Sequence, residues 1–392
     1  MAMEPLILIA NPGSASRKYA LFEGEHKRAQ LHFEPTNSGL ICTLQTGSER
    51  RQLQTDLRNL SETAGQVIPL LRAENVLQED EHVRRIALRL VAPSGYFLED
   101  RVIDDDVLAR LEALLPRAPL HISASLQELK SLRSQFDDAT IVGISDSAYH
   151  ITKPDYAWNY GISLDDADRL DIKRFGYHGL AVASAVHALK TAHKLPPKVV
   201  VCHLGSGVSV TAVHGGKSVD TTMGYSPLEG PVMATRSGSI DPAAVRALRD
   251  ALKLDDVGIE TYLNQYAGLL GLGGASDFRE LLAREEQGDH RAHLALNTYV
   301  FTVQKAIGQM SAALGGLDLL AFTGTVGERS AIIRERILQR FHYLDLFIDK
   351  ATNGECTEPA ELTIVSRLAH SKPICVIPTD EASEMARRTA NL

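Results

Sequence analysis

Arg89 and Arg236 sit in surroundings that narrow what they can do. Arg89 closes the apolar run IALRLV, and an arginine flanked in this way is either paired inside a core or lines a cleft. Arg236 stands in the Gly/Ser-rich turn TRSGSIDP, just before a helix that Asp241 is placed to cap. A guanidinium held by turn geometry can aim its planar fork at a carboxylate or a phosphate. Asp146, in GISDSAYH, follows a predicted strand end, where α/β proteins gather catalytic groups, although capping a turn is the commoner task for such an aspartate. His178, bracketed by glycines in RFGYHGL at a helix entrance, either donates toward developing negative charge or satisfies a turn. ASDFREL (275–281) offers an aspartate and an arginine at a helix start, and FTGTVGERS (322–330) reads as a strand, a glycine loop and a helix able to approach a nucleotide.

These residues need elements to hold them, and two stretches make the same turn. LILIANPGSASRKYALFE (6–23) and VVVCHLGSGVSVTAV (199–213) each run from an apolar β-like segment through a small-residue cluster into a second β-like segment. A loop of this kind can turn several backbone N–H groups toward an anion without a helix behind it. Its recurrence suggests two related halves acting on one phosphorylated ligand. Around the loops, strands are expected at Leu6–Ala10, Lys18–Phe22, Ala29–Phe33, Leu40–Leu44, Ile86–Val91 and Thr140–Ile144. Gln45–Leu60 reads as loop. Helical periodicity marks 62–74, 104–115 and 123–136. The second half repeats the order, with strands at 199–203, 207–213, 218–221 and 317–322, and helices near 241–252, 257–266, 277–287 and 290–314. Alternating strands and helices give an α/β architecture with a boundary near residue 150.

Composition bounds the function. The 392 residues carry a net charge of −8, which argues against general binding to nucleic acid or membrane surfaces. No apolar run approaches the ~18 residues of a membrane span, and PLILIA is too short for a secretory signal. Cys42, Cys202, Cys356 and Cys375 are widely spaced, as expected of reduced structural thiols in a cytoplasm. Three lookalikes fail on context. HGGKS (214–218) lacks the first P-loop glycine, which falls at Thr211, and precedes no helix. GLGGAS (271–276) follows a helix rather than a strand. His290 and His293 have no nearby partners for zinc.

In order and spacing, the motifs resemble the acetate kinase family, within the superfamily that also contains sugar kinases and actin. The strongest stretch is CHLGSGVSVTAVHGGKSVDTTMGYSPLEGPVMATRSGSIDP (202–242), joined by NPGSASRKYAL, RAPLH, DSAYH, RFGYHGL, FTGTVGERS and IPTDEA. The resemblance implies duplicated actin-like (ribonuclease H-like) lobes with a central substrate cleft: residues 1–150 plus 381–392, and residues 151–380. It implies reversible phosphoryl transfer between ATP and a short-chain carboxylate, with Mg²⁺ or Mn²⁺, in a cytoplasmic homodimer joined through the second lobe. On this chain Arg89 and Arg236 would bind the carboxylate and the moving phosphoryl group, with His178 and His121 beside its oxygens. Asp146 would orient metal or substrate, and Asn11 and Glu381 would coordinate the cation. The acyl pocket maps to Val91, Leu120, Tyr177 and Pro227. The nucleotide segments map to His203, Gly205, Ser206 and Gly207, to Asp277, Phe278 and Arg279, and to Thr325, Val326, Gly327, Glu328 and Arg329. Phosphoryl transfer needs positioning and charge stabilisation more than bases, consistent with this donor-rich set.

Several positions depart from the family pattern. Ala92-Pro93-Ser94-Gly95 replaces a His-Gly-Gly, Ser206 an asparagine, and Tyr177 a phenylalanine. Thr325-Val326-Gly327-Glu328-Arg329 stands for Gly-Ile-Gly-Glu-Asn, and Asp380 and Ala382 flank Glu381. Thr325 and Arg329 raise the alternative of a diphosphate- or phosphate-dependent kinase. Ser206 and the 325–329 changes raise that of a non-catalytic binding protein. Retention of Arg89, Asp146, His178, Arg236 and Glu381 together favours the kinase.

Overall fold

The computed structural model describes residues 5–13, 16–36, 39–367 and 369–392; the side chains of Leu120 and His121 lie outside what is described. Two units divide the chain, one of residues 1–148 and 380–392, the other of 149–379.

In the first unit, β1 (Leu6–Pro12), β2 (Arg17–Glu23), β3 (His26–Thr36), β4 (Gly39–Thr46) and β5 (Glu49–Leu53) form an antiparallel run. On its other side β1 pairs in parallel with β6 (Arg85–Leu90), which pairs in parallel with β8 (Thr140–Ser145). The short β7 (Arg101–Val102) closes that edge. Burial follows from this order. Leu6–Ala10 is buried throughout, as a strand covered on both faces must be, whereas β3 and β4 alternate between core and solvent. The mostly exposed β5, ERRQL, corrects the loop expected there: it has no apolar alternation to read, because this charged edge strand turns only Leu53 toward the core. Helices Ala64–Ala73 and Pro119–Gln135 pack together, and Glu381–Ala390 packs against β1, β6 and β8.

The second unit repeats the core order. β9 (Lys198–Leu204), β10 (Val208–His214) and β11 (Lys217–Thr221) are antiparallel neighbours. β12 (Leu319–Thr323) lies parallel to β9, and β14 (Ile374–Val376) parallel to β12, with the short β13 (Thr363–Ile364) at the edge. Each unit thus holds a run of antiparallel strands, five in the first and three in the second, continued by parallel ones, so the two units repeat one α/β arrangement. Helix Gly179–Thr191 is buried along most of its length against this sheet, and His290–Ala313 buries one face. All four cysteines are buried and unbridged, and burial pushes Cys42 and Cys375 up to about 12.

Candidate active site

In the first unit, parallel strand order brings the chemistry together. β1, β6 and β8 run the same way, so Asn11, Arg89 and Asp146 arrive at neighbouring strand ends. The Asp146 N–H donates to the Leu90 carbonyl at 2.9 Å, which fixes the turn after β8. Arg89 Nη2 meets Asp146 Oδ2 at 3.0 Å, and Nη1 reaches Asn11 Oδ1 at 3.3 Å and Glu381 Oε2 at 3.5 Å. Asn11 Nδ2 in turn donates to Glu381 Oε2 at 2.9 Å. Burial works against the Arg89 cation, but Asp146 and Glu381 outweigh it and push its pKa up, so the arginine stays charged. Its Nε is buried with no hydrogen-bond partner among the described residues. Asp380 caps helix Glu381–Ala390 through the Ser383 N–H at 3.1 Å and pairs with Lys27 at 3.0 Å, so this departure is used for folding. Ser94 likewise accepts from the Tyr96 N–H at 3.3 Å, turning the altered 92–95 segment into a short helical turn. Val91 is half-buried beside it. Part of the 12–16 loop, Ser14 and Ala15, lies outside the described residues, as do the side chains of Leu120 and His121.

The second unit holds the other set. His178 takes a left-handed conformation, φ 59°, as it enters helix Gly179–Thr191. Its Nδ1 lies 3.0 Å from Ser209 Oγ, and its ring centroid is 4.5 Å from that of His203. Gly207 shows why a glycine stands there. A Cβ at that position would lie 3.1 Å from both Arg236 Nη1 and His178 Nε2, so the imidazole and guanidinium share the space over its backbone. Arg236 Nη1 also donates to the Pro227 carbonyl at 3.4 Å. Tyr177 is buried, and its hydroxyl donates to the Tyr225 carbonyl at 2.7 Å. The oxygen that distinguishes it from phenylalanine is thereby tied to backbone.

Sequence reasoning did not select His150. That side chain is fully buried, its Nε2 3.0 Å from the Tyr177 carbonyl and its Nδ1 2.9 Å from Ser218 Oγ. A carbonyl only accepts, so Nε2 carries the proton and the serine donates to Nδ1. The imidazole therefore fixes the backbone just before His178. Its signal was available in DSAYH, next to the aspartate.

The nucleotide segments use more of their polar groups internally than their composition suggests. The Gly205 N–H donates to the Gly207 carbonyl at 2.9 Å and is not presented outward; Ser206 is exposed, its carbonyl accepting from the Ala234 N–H at 3.2 Å. Asp277 caps helix Phe278–Glu286 and pairs with the exposed Arg279 at 2.6 Å. Phe278 turns inward, its ring 4.7 Å from Tyr299. After β12 the chain enters helix Gly324–Arg329 directly, with no intervening glycine loop. Thr325 is exposed, Val326 half-buried and Gly327 buried. Glu328 Oε1 accepts from the Gly324 N–H at 2.9 Å, the Thr379 N–H at 3.0 Å and the Thr379 hydroxyl at 2.7 Å. Arg329 pairs with Glu358. The cation that motivated a diphosphate or phosphate partner is therefore engaged with a carboxylate.

Below this helix lies a second residue that the reading passed over. Arg334 is fully buried, donating to the carbonyls of Gly327 at 2.7 Å, Glu328 at 3.0 Å, Asn353 at 2.9 Å and Cys356 at 2.7 Å, and to Asn353 Oδ1 at 2.7 Å. The test that drew attention to Arg89, a guanidinium inside an apolar run, applies equally to AIIRERIL.

The acetokinase family model matches residues 6–387. The acetate kinase of Caldanaerobacter subterraneus subsp. tengcongensis is 35% identical over 399 residues, covering 98% of both chains. Among solved structures, a propionate kinase from Francisella tularensis subsp. tularensis superposes with a TM-score of 0.89 at 30% identity, over 99% of this chain and 100% of that one. The acetate kinase of Porphyromonas gingivalis gives 0.85 at 28%, with 99% of each covered. Identity and coverage of this extent, across both units, mean that the chain belongs to the acetokinase family.

Proposed function

We propose that the chain transfers a phosphoryl group reversibly between ATP and a short-chain carboxylate, acetate or propionate, giving an acyl phosphate and ADP. Family membership over residues 6–387 carries this reading. In it, a carboxylate oxygen of the acid attacks the γ-phosphorus as the bond to ADP breaks. No general base is required, because such an acid is already ionised at neutral pH. Arg236 and His178 donate to the oxygens of the moving group, and their common position over Gly207 supports that pairing. Arg89 meets the anionic substrate, while Asp146 and Glu381 keep it charged and oriented. His121 is assigned beside His178 by resemblance alone. Val91, Leu120, Tyr177 and Pro227 are assigned to the acyl end by resemblance alone. Such walls separate a methyl from an ethyl group by about 1–3 kcal/mol. Residues 203–207, 277–279 and 325–329 approach the nucleotide.

The reaction calls for a divalent cation, and the oxygen donors fit one. Mg²⁺ takes one or two carboxylates together with waters and phosphate oxygens, not a dedicated protein cage. Among the described residues there is no group of three or more His, Cys, Asp or Glu side chains of that caging kind. Asn11 and Glu381, with Asp146 behind them, supply hard oxygens of the right sort beside Arg89. The cation, when bound, neutralises charge on the phosphate oxygens.

The test is consumption of acetyl phosphate by the purified protein with ADP and Mg²⁺, with inorganic phosphate run in parallel as acceptor. Turnover that depends on ADP is expected. Folded protein inactive with ADP for both acetyl and propionyl phosphate would overturn the reading. The same reading includes a homodimer. Its support is the crowding of exposed large apolar side chains, among them Tyr156, Leu164, Val257 and Tyr266, into the second unit. Sedimentation is expected to give twice the 42.8 kDa chain mass, and a monomer at micromolar concentration contradicts it.

A further inference from the structure

Segment 224–229 carries Pro227, and the reaction as written gives no task to the polar side chains that hold it. The Gly224 carbonyl accepts from the Gly176 N–H at 3.1 Å. The Tyr225 N–H donates to Tyr160 Oη at 2.8 Å, and the Tyr225 carbonyl accepts from Tyr177 Oη at 2.7 Å. Tyr160 Oη donates in turn to Glu229 Oε2, and Glu229 Oε1 pairs with Arg174. Arg174 is itself anchored at the backbone. Its N–H donates to the Trp158 carbonyl at 2.8 Å, and its carbonyl accepts from Lys153, whose ammonium sits 4.3 Å from the centroid of the Trp158 ring. Burial and the neighbouring Glu229 push the Tyr160 pKa up, which keeps its hydroxyl a donor.

The chain thus grips the segment at residue 225 and at residue 229, leaving Ser226, Pro227 and Leu228 as a short span between fixed points. Gly224 makes the grip possible, because a Cβ there would overlap both the Glu229 carboxylate and the Tyr160 hydroxyl. Two site features hang on this span. In the kinase reading Pro227 is the acyl wall, and its carbonyl accepts from Arg236 Nη1 at 3.4 Å. A bracket that fixes the wall also fixes how much room the acyl group has on this side.

We propose that Tyr160, Glu229 and Arg174 are positioning residues that set the chain length of the acid by holding Pro227 rigid. This rests on the carboxylate kinase reading above. A wall on two fixed points cannot recede, so each added methylene is resisted; released at one end, it yields, and longer acids gain relative to acetate.

The experiment compares wild type, Tyr160→Phe and Glu229→Ala in ADP-dependent turnover of acetyl, propionyl and butyryl phosphate, with thermal unfolding alongside. Tyr160→Phe keeps the ring and removes one hydroxyl, so it guards against a Glu229→Ala that fails to fold. The expected result is a shift of the acetyl-to-propionyl kcat/KM ratio toward the longer acid by about 5- to 10-fold in both variants, a fraction of what one methylene can be worth. The KM for ADP should stay within about 2-fold, since nothing in the bracket touches residues 277–279 or 325–329 (a uniform change is worth less than 0.5 kcal/mol). A lower melting temperature with an unmoved ratio makes the bracket merely structural and overturns the proposal. An inactive wild type overturns the kinase reading instead, and this inference with it.

Discussion

Arg236→Ala is expected to lower turnover by about 10³-fold or more, the loss typical of a cation that stabilises charge in phosphoryl transfer, while leaving the melting temperature nearly unchanged. The geometry separates the two effects. The hydrogen bond from Arg236 Nη1 to Pro227 is long, and the side chain is partly exposed over Gly207. Removing the guanidinium therefore costs little packing. Lysine keeps the charge but not the planar fork, so Arg236→Lys should recover only part of the rate. Arg89 makes the informative contrast, because it pairs with Asp146, which is 1% exposed, and with Glu381. Arg89→Ala strands an acidic pair beside the strand ends and should lose stability together with activity. Steady-state kinetics and thermal unfolding on both alanine variants check the pair. Wild-type-like turnover in Arg236→Ala would remove that residue from the chemistry.

The second large effect is on folding. Arg334→Leu should destabilise the second unit by about 4 kcal/mol or more, because each buried acceptor left without a donor costs about 1–3 kcal/mol. Five acceptors take donors from this guanidinium, none of them a carboxylate, and among these only the Glu328 carbonyl has a second donor, the Glu358 N–H at 3.2 Å. Burial pulls its pKa down, although the fan of carbonyls meets its donors. Lysine offers three donors from one point and cannot span Gly327 to Cys356, so Arg334→Lys should fail nearly as badly. Two of the five acceptors belong to helix Gly324–Arg329, so any variant that folds should show a raised KM for ADP. Denaturant unfolding is the check, and a loss below about 1 kcal/mol would mean that the carbonyls find water or other donors.

The central strands were legible because burial on both faces writes an unbroken apolar run, as in Leu6–Ala10 and Leu319–Thr323. β5 was not legible, since an edge strand of Glu, Arg and Gln with a single half-buried Leu53 leaves no period. Motif order singled out candidate site residues, but it could not say what each touches. Arg329 read as a new cation, and its partner Glu358 lies 29 positions along the chain. The Gly/Ser loop read as a row of free N–H donors, yet Gly205 donates to Gly207 within the same turn. Local spacing records which way a side chain must face; it carries no record of a partner brought up by a distant segment. His150 and Glu328 are understood only through such partners.

The first unit is built from two segments far apart in the sequence, residues 1–148 and 380–392. Met385 and Ala386 are buried in it, Arg388 pairs with Asp100, and Arg85 donates to the Thr389 carbonyl at 3.1 Å. On the ribosome, β1, β6 and β8 emerge early and wait without the helix that covers them, while residues 149–379 form a contiguous stretch that can fold on its own schedule. Glu381 reaches Asn11, 370 positions earlier, only once residues 381–390 have been made. Nascent chains stalled before residue 381 should therefore expose an apolar sheet face to chaperones, and the Arg89 cluster cannot assemble until helix Glu381–Ala390 has been made.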